Sequence, residues 1–197
     1  MRISEGKDKD KTAGNRGHNR ITITKDTPLS EILELGSVCR RCGHCCSHGS
    51  GFLVRQDHEK IADFLGINVK ELKERYLEED EKFNTRLWRP KLKKKEDKDH
   101  LPYGECIFLE KKEGRASCRI DEVKPLQCRT GNCSEQGEEL NLWFTLHHFL
   151  NENDPESVRQ YAAYLRTGGK TLPGFELESL IKDKNKLKKI LDYEILR

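Results

Sequence analysis

The sequence predicts an α+β fold in which helix dominates: a short β-hairpin and loops gather around a cysteine metal centre and pack against helices. Three observations predict it. Leu140, Trp143, Phe144, His147 and Leu150 recur at helical spacing in the C-terminal third. Cys106-Ile107-Phe108-Leu109 and Ser117-Cys118-Arg119-Ile120 flank Lys111-Lys112-Glu113-Gly114, a hairpin signature. Eight cysteines stand in a chain of 197 residues that is 34% hydrophobic and 36% charged, a lean core that calls for a staple. So little strand argues against a sandwich or a doubly wound sheet.

Met1–Arg20 is polar, holds six Lys/Arg and three Asp/Glu, and is expected to be a disordered tail. Ile21–Thr24 is expected as a short edge strand. Thr27 as N-cap and Pro28 at the first helical position open a helix carrying Leu29, Ile32, Leu33 and Leu35 and ending at Gly36. Gly51-Phe52-Leu53-Val54 reads as a strand. Asp57 is expected to cap a helix that runs through Leu65 to Gly66. Asn68 with Glu71 forms a capping-box pattern for a second helix carrying Val69, Leu72, Tyr76 and Leu77.

Arg89–His100 is dominated by Lys, Asp and Glu and is expected to be a solvated loop. With a turn near Lys112, Cys106 and Cys118 would lie nearly opposite each other, near enough to ligate one centre. Asp154 caps and Pro155 opens a helix that ends at Gly168. Leu177 to Ile195 reads as one amphipathic final helix. The expected organisation is a tail (1–20), a cysteine-cluster metal-binding domain (21–135) and a helical extension packed on it (136–197).

The net charge of +3 equals the excess in Met1–Arg20, and the rest of the chain carries 31 charges of each sign. A neutral body argues against nucleic acid as a partner. No apolar run approaches the ~18 residues of a membrane span, so no membrane partner is expected. No apolar stretch follows the basic residues of the N-terminal segment, so a secretory signal is not expected and a cytoplasmic location is. In a reducing compartment an even cysteine count points to metal before disulfides.

Cys39-Arg40-Arg41-Cys42-Gly43-His44-Cys45-Cys46 places three cysteines at two-residue gaps, with a fourth adjacent. Zinc sites use pairs of that form, and three in succession with a distant fourth is the ferredoxin-like pattern for [4Fe–4S]. Adjacent Cys45 and Cys46 cannot easily share one mononuclear ion, so a polynuclear centre or two nearby centres accommodate them better. Cys106, Cys118, Cys128 and Cys133 complete eight candidate metal ligands. Which of them share a metal is not set by spacing. Arg40 and Arg41 are placed to offset thiolate charge. His44 and His48 fit donors beside the cluster better than ligands. His147, His148, Trp88 and Trp143 fit packing roles. No catalytic residue is assigned.

The ordered set Cys39-x-x-Cys42-x-x-Cys45-Cys46, Cys106-Ile107-Phe108-Leu109, Cys118-Arg119-Ile120 and Lys124-Pro125-Leu126-Gln127-Cys128-Arg129-Thr130 resembles the YkgJ-type CxxCxxCC cysteine-cluster family. The resemblance covers Val38 to Cys133. It implies chelation of zinc or iron, often in iron–sulfur form, and a distant relation to flagellin lysine methylases. The methylase activity does not carry over: Cys42 and Cys46 have the first gap of a radical-type Cys-x3-Cys-x2-Cys motif, but Gly49 stands in the third place. Nor does a glycine-rich strand–loop–helix mark a nucleotide-like cofactor site. Lys124 stands where the family has Arg, and Gly131-Asn132 replaces its aromatic-Pro pair, which leaves Cys133 the least anchored in the pattern.

The leading expectation is therefore iron–sulfur binding in support of electron transfer or of a partner enzyme, with an unidentified protein partner. A structural zinc module for protein interaction is the alternative. A lysine methylase relative or a thiol oxidoreductase is the third.

Overall fold

The computed structural model describes residues 21–37, 39–93, 103–112, 115–131, 133 and 135–192. The expected tail 1–20, most of the charged loop up to His100, the Glu113-Gly114 turn and the end of the final helix at Ile195 lie outside them. The fold is α+β and predominantly helical, with small antiparallel two-stranded sheets. Among the described residues no helix is long and apolar enough to cross a membrane.

Ile21–Thr24 is not a strand. Thr24 and Thr27 bond each other locally, Thr24 N–H donating to Thr27 Oγ1 at 2.8 Å, so Thr27 is spent on its own turn and Pro28 takes the N-cap of α1 (Leu29–Gly36). Gly36 is in the last turn for a packing reason: an added Cβ would strike the Arg129 carbonyl. After α2 (His44–His48), residues 51–54 form no strand. The Phe52 N–H bonds Gln127 Oε1 and the Leu53 N–H bonds the Trp88 carbonyl, each at 2.8 Å.

Helix α3 (Arg55–Leu65) starts two residues before the expected cap: Val54 is the N-cap, and Asp57 in the first turn reaches back to accept the Val54 N–H at 3.0 Å. Gly66 ends it with φ +67°, as expected. Asn68 caps α4 (Val69–Tyr76) by accepting the Glu71 N–H at 2.9 Å. Leu77 is not helical; it opens β1 (Leu77–Lys82), which pairs with β2 (Thr85–Pro90). This hairpin replaces the start of the expected loop. Its two-residue turn uses left-handed Phe83 (φ 47°) and Asn84 (φ 58°), the backbone of a tight hairpin. Phe83 packs on Tyr161 and Tyr164, with ring centroids 5.3 and 5.5 Å away.

Short β3 (Leu92–Lys93) pairs with β4 (Glu105–Cys106), and β5 (Leu109–Lys112) with β6 (Arg115–Cys118). A 3-10 turn, Asp121–Val123, leads to α5 (Leu126–Thr130) and then α6 (Gly137–Phe149). Asp154 accepts the Glu156 N–H at the start of α7 (Pro155–Arg166), as expected. The final helix is two: α8 (Leu177–Leu180) and α9 (Lys184–Leu191), parted because Asp183 caps a new start by accepting the N–H groups of Asn185 and Lys186.

Two buried clusters meet at Phe52-Leu53. Phe52 joins Ile32, Leu126, Leu140, Phe144, Phe149 and Tyr161 in the larger one, which draws together α1, α5, α6 and α7. Leu53 joins Ile61, Leu72, Leu77, Phe108 and Ile120 in the second. One dipeptide thus serves both cores. Cys106 lies in the second, and Cys46 and Cys118 pack against it.

Candidate metal centre

The first cysteine loop is shaped by left-handed backbone at Arg41 (φ 51°) and Gly43 (φ 73°), and Gly43 also caps α2. Glycine is needed there on a second count, since a Cβ would overlap that of Ala116 on β6. Arg41 Nη2 donates to Asp121 Oδ2 at 2.9 Å, and Lys124 Nζ donates to Asp121 Oδ1 at 2.9 Å. Lys124 holds the Asp121 carboxyl below the usual carboxylate range. One carboxylate thus ties the loop holding Cys39 and Cys42 to the segment between Cys118 and Cys128. Lys124 does bind a carboxylate, with one nitrogen, and Arg41 takes the other oxygen.

The two hairpin cysteines do not oppose each other. Cys118 faces Leu109 across β5–β6, and Cys106 faces Leu92 across β3–β4. The register pairs Lys112 with Arg115, which sets Cys118 opposite Leu109 and leaves Cys106 outside that hairpin. They are neighbours all the same, because the Arg119 N–H bonds the Phe108 carbonyl at 2.9 Å and folds the two ladders together. The charge of Cys118 is felt at Cys106.

Cys106 is buried in the second core, and Cys46 and Cys118 are half-buried against it. Helix α2, which carries Cys45 and Cys46, packs on β4. Cys128 on α5 is half-buried, with its Sγ directly over Gly51, where any Cβ would collide with it. Burial pushes the Cys106 thiol up to about 11 and also raises Cys118 and Cys128. Cys46 lies 3.8 Å from Cys45, Sγ to Sγ. A hydrogen bond from the Cys46 thiol lowers Cys45 to about 6 and holds the proton on Cys46.

Cys39, Cys42, Cys45 and Cys133 are exposed. The Cys42 thiol raises Cys133, and the charges of Cys45 and Cys39 act in the same direction. The structure therefore brings Cys133, the least anchored in sequence, to the first loop. His44 and His48 face each other at 4.7 Å between ring centroids, and His48 Nδ1 bonds the His44 carbonyl at 2.9 Å. His147 Nε2 bonds the Lys25 carbonyl at 2.9 Å, and His148 packs on Phe144, as packing residues do.

Sequence reasoning passed over three supports of the site. Asp57, 1% exposed, accepts the Leu126 N–H at 2.8 Å and an Arg129 N–H at 3.2 Å, which joins α3 to the helix bearing Cys128. Gln127 binds the backbone at Phe52. Gly51 makes room for the Cys128 thiol. Asp57 carried a signal, its place beside a helix start. Gln127 and Gly51 carried none, because their partners are distant in sequence.

The donor set suits soft or borderline metals: thiols gathered in one region with basic side chains beside them. Among the described residues no three His, Cys, Asp or Glu side chains already form a cage for one ion.

No curated protein and no solved structure matches the chain. A family model does, over residues 38–149: CxxCxxCC, described as "Putative zinc- or iron-chelating domain". The match takes in all eight cysteines and continues through α6. It spans more than half of the sequence, and the chain belongs to the CxxCxxCC family.

Proposed function

We propose that the eight cysteines hold iron–sulfur clusters of the [4Fe–4S] type, and that the protein passes electrons to, or otherwise supports, a protein partner in the cytoplasm. The observation that carries this reading is the Cys45–Cys46 junction. Two adjacent thiols lie 3.8 Å apart on α2, which packs on the strand that carries the buried Cys106. Eight thiols in one region exceed what a single tetrahedral ion takes, and clusters are held by four each.

A bound cluster would supply a one-electron couple. The chain's own residues position and tune it. Arg41 and Lys124, fixed by Asp121, keep positive charge beside the thiolates. Asp57, Gln127 and Gly51 set the place of Cys128. The exposed cysteines put one edge of the centre at the surface, where a partner can dock. One electron would enter from a reduced donor protein and leave to an oxidised acceptor, with no bond made or broken in the chain. In this reading residues 21–135 are the metal-binding domain, and the helices of 136–197 extend it.

The test is the visible spectrum of anaerobically purified protein before and after dithionite. A band near about 400 nm that bleaches on reduction supports the reading. A colourless protein carrying zinc overturns it and makes the same residues a structural staple.

A further inference from the structure

A half-open cavity of about 700 Å³ lies between α6, the tip of the β1–β2 hairpin and the C-terminal end of α7. That is the size of an ordinary small-molecule site. No described cysteine lines it. Glu138, Leu142 and Thr145 face it from α6 over a length of about 10 Å. Phe83 and Tyr164 face it from the hairpin tip and from α7.

The aromatic side is fixed in place. Phe83 keeps left-handed backbone (φ 47°), a costly conformation for an aromatic residue. Asn84 beside it is bolted to α7: its N–H donates to Gln160 Oε1 at 2.9 Å and its Nδ2 to Asp154 Oδ2 at 2.7 Å. The Tyr164 hydroxyl accepts the Lys170 N–H at 3.0 Å, and its ring fills the space that a Cβ on Gly169 would need. Rings set before a ligand arrives reduce the ordering cost of binding one.

The charges along the cavity are not balanced. In the first turn of α6, Glu138 pairs with Lys170 at 2.6 Å. Lys82, which reaches the last turn at Phe149, has no carboxylate partner among the described residues. The acids on its own strand are engaged: Glu78 and Asp80 pair with Arg89, and Glu81 with Arg86. The Lys82 ammonium rests instead over the rings of Phe52 and Phe149, 5.4 and 5.5 Å from their centroids. Burial lowers its pKa from the ordinary lysine value, the mark of a cation only partly compensated. The residue is exposed all the same, so an anion can reach it.

We infer that this cavity binds a small organic anion with a flat apolar body, its carboxylate taken by Lys82 and its body set among Phe83, Leu142 and Tyr164. One unmatched cation suits a single carboxylate better than a phosphate, which carries nearly two charges. A charge-assisted hydrogen bond at a partly desolvated ammonium is stronger than a neutral one, so the site selects for the anion. The inference stands apart from the metal centre and holds for zinc or iron there.

Naphthoate and its uncharged amide, naphthamide, are the probes, titrated into full-length protein as purified and followed by backbone amide NMR shifts. Naphthoate should shift the Phe83 and Gly169 amides saturably below about 10 mM, and naphthamide should bind about tenfold more weakly. Lys82→Met keeps the stem and removes the charge; it should weaken naphthoate about tenfold and leave the two probes alike. Lys82→Arg should restore the preference for naphthoate. No saturable shift, shifts centred away from these residues, or equal affinity of the two probes for the wild-type chain overturns the site, and that comparison needs no variant. A preference for naphthoate that survives Lys82→Met overturns the role of Lys82.

Discussion

Replacing Asp57 by alanine leaves three donors without their acceptor. Oδ2 takes the N–H groups of Val54, at 3.0 Å, and Leu126, at 2.8 Å; Oδ1 takes the Arg129 guanidinium at 3.2 Å. Arg129 is 33% exposed and can turn to water, so its ion pair is worth little. The two backbone donors are held at the foot of α3 and the head of α5. Each orphaned group costs about 1–3 kcal/mol, so the alanine variant loses about 2–6 kcal/mol. That is a large part of an ordinary domain's total stability of about 5–15 kcal/mol. Asparagine with its oxygen in the Oδ2 position keeps both backbone bonds and turns an amide donor toward Arg129, at about 1–2 kcal/mol. Urea unfolding of the protein as purified is the assay. The expected midpoint falls by about 2 M for Asp57→Ala and by less than half of that for Asp57→Asn. Metal content should fall in the same order, because α5 carries Cys128. An alanine variant within about 0.5 kcal/mol of wild type, or an asparagine variant as weak as alanine, would refute the reasoning.

Gly51→Ala drives a methyl group into the Cys128 thiol and should cost about 1–3 kcal/mol together with metal, measured by denaturation and elemental analysis. Asn84→Ala removes the 2.7 Å bond to Asp154 at the hairpin tip and should cost about 1 kcal/mol in melting experiments while leaving metal content intact. Burial, and then the charge of His147, lower the pKa of His148 below 6.5, whereas Asp57 opposes the shift. The unfolded chain therefore takes up the proton first: the His148 contribution to stability is full above pH 6.5 and is lost as pH falls through the depressed value. Urea midpoints from about pH 7 to 5 should decline more steeply for wild type than for His148→Gln; parallel curves would remove His148 from the account.

Helix punctuation was the most legible part of the sequence, since a cap is a contact between residues two or three apart. Asn68 with Glu71, Gly66, and Asp154 with Pro155 all stand where the local chemistry puts them. Asp57 was recognised as a capping residue but placed three residues off, because an acid at the third helical position can reach back as well as a cap can reach forward. The β1–β2 hairpin was hidden by composition. Glu78-Glu79-Asp80-Glu81-Lys82 has no apolar alternation, and its tip places an aromatic residue, Phe83, in left-handed backbone.

The cysteines were legible as a set but not as neighbours. Which thiol meets which depends on the registers Leu109↔Cys118 and Leu92↔Cys106 and on α5 docking over Gly51. Each is settled by packing between distant segments, and a shift of one residue in either ladder would reverse the faces.

The most direct test of the central claim is iron, zinc and acid-labile sulfide measured per chain on protein purified without oxygen. The account predicts iron with matching sulfide, about four of each for every [4Fe–4S] cluster held. Zinc without sulfide would contradict it.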